Sequence, residues 1–317
     1  GAGHGSLGGY DTYPGGACYG SPSSPEQPGS GGGRHATQTT LGTGGGAIRI
    51  DADGAVAING TLAANGRSVG NRSGGGSGGS IYIRCHTFAG TDGAVTADGG
   101  SAWTGYGGGG GSGGRIAVLY DQPAQSNQPP PGVRFSVAGG FGYYGAAGGY
   151  MRRGCADPGT LYFPDASLLN PSYLPHAGQL VIPGLPRWSV DNLTLDNGWL
   201  RFTQEGFQLD VANNLTVKGG AGRLELAGIP SYTNGVGEYW KYGAGAGVYL
   251  SLLETGPVVN VGGNLILTNG GILSVLSART NGVAPDYGAL VSVTNDVLIF
   301  ANSWIEPWSH ATNGGSV

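Results

Sequence analysis

Two aspartates that stand two residues apart, Asp51 and Asp53, have a spacing suited to catalysis. Alternate residues of a β-strand share a face, so the two carboxylates would project together from one strand. Glycosidases need two carboxyl groups about 5–9.5 Å apart. The same residues also fit a turn, because Asp53-Gly54 is a favoured turn pair that recurs as Asp92-Gly93 and Asp98-Gly99. The turn interpretation is favoured, and Asp51 and Asp53 are the catalytic candidates that remain.

Residue patterns for other chemistry are missing from the sequence. Its five histidines are scattered, and no HExxH or Ser/His/Asp arrangement indicates a catalytic centre. No Cys/His spacing suits zinc, and Ca²⁺ could use aspartate oxygens, although no EF-hand or nonapeptide spacing is present. GxGxxG-like strings have no helix after them, which argues against nucleotide binding. The sequence therefore predicts no metal and no cofactor, with Ca²⁺ as the alternative. It leaves open whether the protein is an enzyme, although it favours one that is not.

Aromatic residues next to glycine or proline are the better indication of ligand binding. Such rings stack on sugars and anchor protein contacts. The alternative is that they cover the glycine-rich loops as hydrophobic lids, because large aromatic side chains are mostly buried. The candidates for binding a glycan or a protein partner are Trp103, Tyr106, Tyr143, Tyr144, Trp240, Trp304 and Trp308.

The cysteines and the overall composition suggest an extracellular or cell-surface protein. Cys18 and Cys155 both lie in glycine-rich sequence and are the predicted disulfide pair, which leaves Cys85 over. Lysine is rare, while asparagine, serine and threonine are abundant, as is typical of secreted proteins. The chain carries a net charge of −4, so it lacks the basic surface that nucleic-acid binders need. No apolar run approaches the roughly 20 residues of a membrane span.

Glycine dominates the sequence, with 68 of 317 residues. Glycine costs about 1 kcal/mol at each helical site, so an all-β protein is predicted. Gly-Gly followed by a variable residue and an apolar-polar-apolar triplet recurs from Gly45, Gly78 and Gly113. Such short strands between long glycine-rich loops predict a parallel β-helix, or β-solenoid. The predicted inward residues are Ile48, Ile50, Val56, Ile58, Leu62, Ile81, Ile83, Ile116 and Val118.

The glycine runs allow two interpretations. They can form polyproline-II-like strands packed against the solenoid, since segments without Cβ atoms approach each other closely. They can also be flexible linkers, as their low complexity would allow.

The second half repeats the strand pattern with less glycine. Asx or Gly turns precede alternating strands at Leu193, Leu215, Leu265 and Val297, and turn tripeptides such as 196–198 separate strand pairs. These turns also suit antiparallel hairpins, although the length of the repeat favours a coil. Residues 1–165 are predicted to be glycine-rich solenoid repeats, and 166–317 plainer rungs of one continuous stack. The chain is expected to be part of a longer polypeptide.

Gly44 to Gly66, together with SGGGSGGSIYI and GGGGGSGGRIAV, resembles the glycine-rich parallel β-helix repeats of large bacterial secreted and surface proteins. The resemblance implies an adhesin-like or matrix-like role outside the cell and supplies no catalytic residue. The predicted function is thus a structural or adhesive segment that assembles end to end, or laterally, into fibres or a surface matrix. The alternatives are a β-helix that binds or cleaves an extracellular polysaccharide, and a passive spacer.

Overall fold

A computed structural model describes residues 1–9, 15–34, 40–70, 73–103, 108–142, 155–220, 222–226, 255–278 and 288–308. Within these ranges the protein is almost entirely β, with parallel sheets and one short helix. The described residues fall into two compact units. The first comprises residues 1–168 and 177–181, and the second comprises 169–176 and the described residues from 182 to 308. The sequence-based division at residue 165, and the continuity of the stack, stay predictions.

Short parallel strands separated by glycine-rich segments build the first unit. Its helix α1, Gln122–Ser126, is capped by the Asp121 side chain. Its described strands are β1 Ala47–Asp51, β2 Val56–Ala57, β3 Thr61–Ala63, β4 Val69–Gly70, β5 Ser80–Arg84, β6 Phe88–Ala89, β7 Ala94–Thr96, β8 Ala102–Trp103, β9 Arg115–Leu119, β10 Arg134–Ser136, β11 Thr160–Tyr162 and β12 Ala177–Val181.

The strands of the first unit pair with the equivalent strands of the next repeat. The main sheet has the order β1-β5-β9-β11-β12, β3-β7-β10 forms a second path, and β2-β6 and β4-β8 are separate pairs. Every pair is parallel and in register, so Ile48, Ile81 and Ile116 occupy one position of three neighbouring strands. Each recurrence of the apolar-polar-apolar triplet therefore adds one strand to the same sheet.

The predicted inward residues divide according to their position in this stack. Ile81, Ile83, Ile116 and Val118 are fully buried, and Val56 is nearly so. The other four, Ile48, Ile50, Ile58 and Leu62, are only half-buried. They belong to the layer that contains β1, which pairs with β5 alone among the described strands. One axial side of that layer is uncovered in the part of the chain that the structure describes.

Apolar and polar residues alternate along β5 and β9, but the polar residues do not form a solvent-exposed face. Both strands bury nearly every residue, including Ser80 and Arg115 on the polar face. The Ser80 hydroxyl donates to the Gln27 carbonyl at 2.6 Å, and the Arg115 Nε donates to the Tyr19 carbonyl at 2.9 Å. An earlier segment of the chain thus covers the face that alternation alone assigns to water.

Three parallel sheets make up the described part of the second unit, and each run of three consecutive strands supplies one strand to each sheet. The sheets have the orders β13-β16-β19-β22, β14-β17-β20-β23 and, within this unit, β15-β18-β21-β24. Its strands are β13 Arg187–Val190, β14 Leu193–Asp196, β15 Trp199–Phe202, β16 Gln208–Val211, β17 Leu215–Lys218, β18 Arg223–Leu226, β19 Val258–Val261, β20 Leu265–Thr268, β21 Ile272–Leu276, β22 Leu290–Val293, β23 Val297–Ile299 and β24 Trp304–Trp308.

Aligned apolar columns form the core of the second unit. In one column Leu193, Leu215 and Leu265 stack in register on successive strands, all fully buried, and Val297 follows them. Strands β14 and β15 lie in different sheets, so the turn between them closes no hairpin. The antiparallel alternative for these turns is therefore wrong for the described strands.

A side-chain ladder joins the turns that precede β14, β17, β20 and β23. The Asn192 Oδ1 accepts the backbone N–H of Asn214 at 3.2 Å, and the Asn214 Oδ1 accepts that of Asn264 at 2.9 Å. The Asn264 Oδ1 then accepts the N–H of Asp296 at 3.0 Å. Each Asx side chain satisfies a backbone donor of the next layer, which explains why an Asx residue recurs before each of these strands.

Candidate functional surfaces

Asp51 is an ion-pair residue at the end of β1. Its carboxylate accepts from the Arg49 Nε at 2.6 Å and from the Arg84 Nε at 2.8 Å. The hydrogen bond from Arg49, and then that from Arg84, hold the pKa of Asp51 below its usual range. Asp53 is exposed in the bend that follows the strand. A carboxylate already ionised and bonded to two guanidinium groups is a poor proton donor, so this geometry gives no support to acid catalysis by the pair.

The predicted aromatic ligand residues are described only in part. Tyr106, Tyr143, Tyr144 and Trp240 lie outside the described residues. Trp103 and Trp308 belong to β8 and β24, and the structure describes their backbones but not their side chains. Trp304, at the start of β24, is described and 43% exposed.

Trp304 is held by a network of charged side chains on the outer face of its sheet. Its indole Nε1 donates to the Glu306 Oε1 at 2.7 Å. The other Glu306 oxygen pairs with Arg223 at 2.8 Å, and Arg223 also pairs with Glu225. Glu225 in turn forms an ion pair with Arg201, whose side chain is completely buried. The charges of the four ionised residues cancel, and the network connects a buried pair to an exposed indole.

Sequence reasoning missed the Arg and Glu members of this network. The signal is present in Arg223-Leu-Glu225 and in Trp304-Ile-Glu306, where alternate residues point outward from a strand. What the sequence does not show is that β18 and β24 are separated by one strand, because a long segment lies between β18 and β21 in the chain.

Glycine segments of the first unit bond to one another through their backbones. We call these segments the glycine lattice and define it as residues 1–9, 29–33, 42–46, 64–67, 74–79, 97–100, 108–114, 137–140 and 156–159. Residues 74–79 and 108–114 are fully buried at its centre. Glycine is required there because a Cβ at Gly78 would overlap the Ala97 carbonyl oxygen.

Segment 74–79 donates hydrogen bonds with a period of three residues. Donors three apart reach the same neighbouring segment, and three different neighbours are reached in turn. The bonds run from Gly74 and Ser77 to Gly33 and Ser30, from Gly75 and Gly78 to Gly109 and Ser112, and from Gly76 and Gly79 to Arg67 and Ala64. Its carbonyls accept from further segments, including the N–H groups of Ala2, Gly45 and Gly100. All of the backbone donors of this segment are therefore satisfied between segments, and none within it.

Two buried side chains bond to the glycine lattice: His4 bonds within it, and Arg115 of β9 joins it to the main sheet. The His4 Nδ1 lies 2.8 Å from the Gly78 carbonyl oxygen and must carry the proton, because a carbonyl only accepts. The fully buried Arg115 donates to the Tyr19 and His4 carbonyls and to the Thr160 hydroxyl. Burial lowers the pKa of His4 from 6.5 to about 4; the bond to Gly78 opposes this change and the charge of Arg115 adds to it. His4 is thus neutral in the folded protein at neutral pH.

The three cysteines are thiols in this structure. The pairing of Cys18 with Cys155 is not formed here and stays a prediction, which counting the thiols of the unfolded, unreduced protein would test. Burial raises the pKa of the Cys85 thiol to about 11, which makes it a poor nucleophile. Among the described residues, no three His, Cys, Asp or Glu side chains lie close enough together to hold a metal ion. No helix within those residues has the length and apolar character needed to cross a membrane.

The last described layer of the second unit, β22–β24, presents an open edge. Each of its strands pairs on one side only among the described strands. Its apolar side chains are unusually exposed, at 38–53% of their surface: Val297, Leu298, Ile299, Phe300 and Trp304. The equivalent residues one layer earlier, Leu265 and Leu267, are fully buried. The exposure of Val297 and Ile299 therefore results from the lack of a following layer in the described structure.

Comparisons of the chain with protein-family models, with curated proteins and with solved structures each found no match.

Proposed function

We propose that this protein is a structural or adhesive segment of an extracellular or cell-surface assembly, built as a parallel β-solenoid. Three observations support the solenoid: all described strand pairs are parallel, consecutive strands pass from sheet to sheet, and side-chain ladders join equivalent turns. The three-residue bonding period of the glycine lattice fits polyproline-II-like strands, which have three residues per turn and no internal hydrogen bonds.

The observation that carries the functional proposal is the open β22–β24 layer. An edge strand with unpaired backbone groups is a template for another strand. Among the described strands, three such edges belong to one layer, so one incoming layer would pair with all three and cover Val297 and Ile299 together. We infer end-to-end association of copies of this chain at this layer.

The hydrogen bonding of the glycine lattice favours a mechanical role for the protein in such an assembly. Its central segments are bonded on several sides by segments far away in the chain. Such cross-bonding restricts bending of each segment more than a flexible linker would. A passive spacer would not require it.

Sedimentation and light scattering over a range of protein concentrations test the assembly. We expect the wild-type mass to increase with concentration, and the double variant Val297→Lys/Ile299→Lys to remain monomeric, because lysine blocks edge pairing. Tyr173→Lys is the matched control, since Tyr173 is exposed in the same unit away from this layer. Circular dichroism establishes that the variants are folded. A wild-type protein that stays monomeric at every concentration contradicts the proposal, as does a control variant that loses assembly equally.

Polysaccharide binding is the second candidate function, and the network around Trp304 favours it. No comparable observation favours cleavage of a polysaccharide, because the candidate acid Asp51 is bonded to two arginines.

A further inference from the structure

Four outward residues form a strip across the outer face of the sheet β15-β18-β21-β24. Trp199, Arg223, Ile272 and Trp304 occupy the same register position on these adjacent strands. Strands in a sheet are about 4.8 Å apart, so the two tryptophans stand at the ends of a strip about 14 Å long. Trp199, Arg223 and Ile272 are half-buried and Trp304 is exposed. We call these four residues, with Glu306, the outer strip.

The rings of the outer strip are held in place before any ligand arrives. The Trp304 indole is fixed by its bond to Glu306. The guanidinium carbon of Arg223 lies 5.7 Å from the centre of the Trp199 ring and restrains that indole. Because an ordered ring loses little entropy when a ligand stacks on it, this arrangement suits recognition by stacking.

The polar groups beside the rings define the chemistry of the ligand. Glu306 is partly exposed; its Oε2 is buried beside Arg223, and its Oε1, which accepts from the Trp304 indole, keeps a second acceptor position for a hydroxyl group. Arg223 is already paired with two carboxylates, and it offers no uncompensated positive charge to an acidic group. A ligand with apolar ring faces and many hydroxyl groups, and without a net charge, matches these features.

We propose that the outer strip binds a neutral polysaccharide, with a sugar ring stacked on Trp304 and hydroxyl groups donating to Glu306. The proposal uses the outward face of β24, whereas end-to-end assembly would use the backbone edge of the same strand and the inward residues Val297 and Ile299.

Titration calorimetry of the whole chain with soluble neutral hexasaccharides of glucose and of mannose tests the proposal, with polygalacturonate as the acidic comparator. We expect Trp304→Ala to weaken binding roughly tenfold, because aromatic stacking is worth up to about 1.5 kcal/mol. Trp304→Phe keeps a stacking face and should bind within a few-fold of the wild type. Tyr173→Ala removes an equally exposed ring elsewhere in the same unit and should bind as the wild type does.

Three results would overturn the assignment. They are no heat of binding from either neutral hexasaccharide at millimolar concentration, unchanged affinity in folded Trp304→Ala, or preferential binding of polygalacturonate. The Val297→Lys/Ile299→Lys variant should bind sugar normally, so a failure of assembly and a failure of sugar binding are separable.

Discussion

His4 should make the stability of the first unit depend on acid. The ring is fully buried, and burial lowers its pKa from 6.5 to about 4. As the pH falls below 6.5, the unfolded chain binds a proton at this ring while the folded protein does not. The free energy of unfolding therefore declines until the pH reaches about 4, below which both states are protonated. Since one pH unit is worth about 1.4 kcal/mol, the total loss due to His4 is roughly 3 kcal/mol.

Urea unfolding followed by circular dichroism at pH 7 and at pH 4 measures this effect in the wild type and in His4→Gln. Glutamine retains an N–H donor for the Gly78 carbonyl but does not titrate, so the variant should lose about 3 kcal/mol less than the wild type between the two pH values. His86→Gln makes the same substitution at an exposed histidine and serves as the matched control. Parallel losses in the wild type and in His4→Gln would refute the reasoning.

Three further predictions concern the packing, and thermal and urea unfolding test them. Gly78→Ala should destabilise the protein by about 1–3 kcal/mol or prevent folding, because the new methyl group has no room, whereas Gly46→Ala enters open space and should be tolerated. Glu225→Gln removes the carboxylate that pairs with the buried Arg201 and should cost about 3–5 kcal/mol; a loss below 1 kcal/mol would show that the pair is not desolvated. Asn214→Ala removes one acceptor of the Asx ladder and should cost about 1 kcal/mol, and an unchanged midpoint would argue against the ladder.

The sequence was sufficient to predict the parallel strands but not their neighbours on the outer faces. Ile81 and Ile83 alternate with polar residues, and the same triplet recurs at Ile116 and Val118, which is why their burial was predictable. The polar face of β5 is covered through a contact between Ser80 and Gln27. These residues are 53 apart in the chain, so no local pattern predicts the contact.

The same limit applies to the candidate sites. Asp51 was a catalytic candidate because the local sequence does not show its ion-pair partner Arg84. That arginine lies on the neighbouring strand, 33 residues later in the chain. Trp304 was a candidate ligand residue because of its type and its neighbours, and that assignment stays a prediction. Its supporting residue Arg223 became visible only once the register across β18, β21 and β24 was known.

The glycine lattice has a consequence for the temperature response of the protein. An apolar core weakens on cooling, because hydration of hydrocarbon gives unfolding a large positive heat capacity. The central segments 74–79 and 108–114 instead enclose peptide groups and carry only the side chains of Ser77 and Ser112, and exposure of polar surface lowers the heat capacity of unfolding. The free energy that stabilises this part of the molecule should therefore change little as the temperature falls towards freezing.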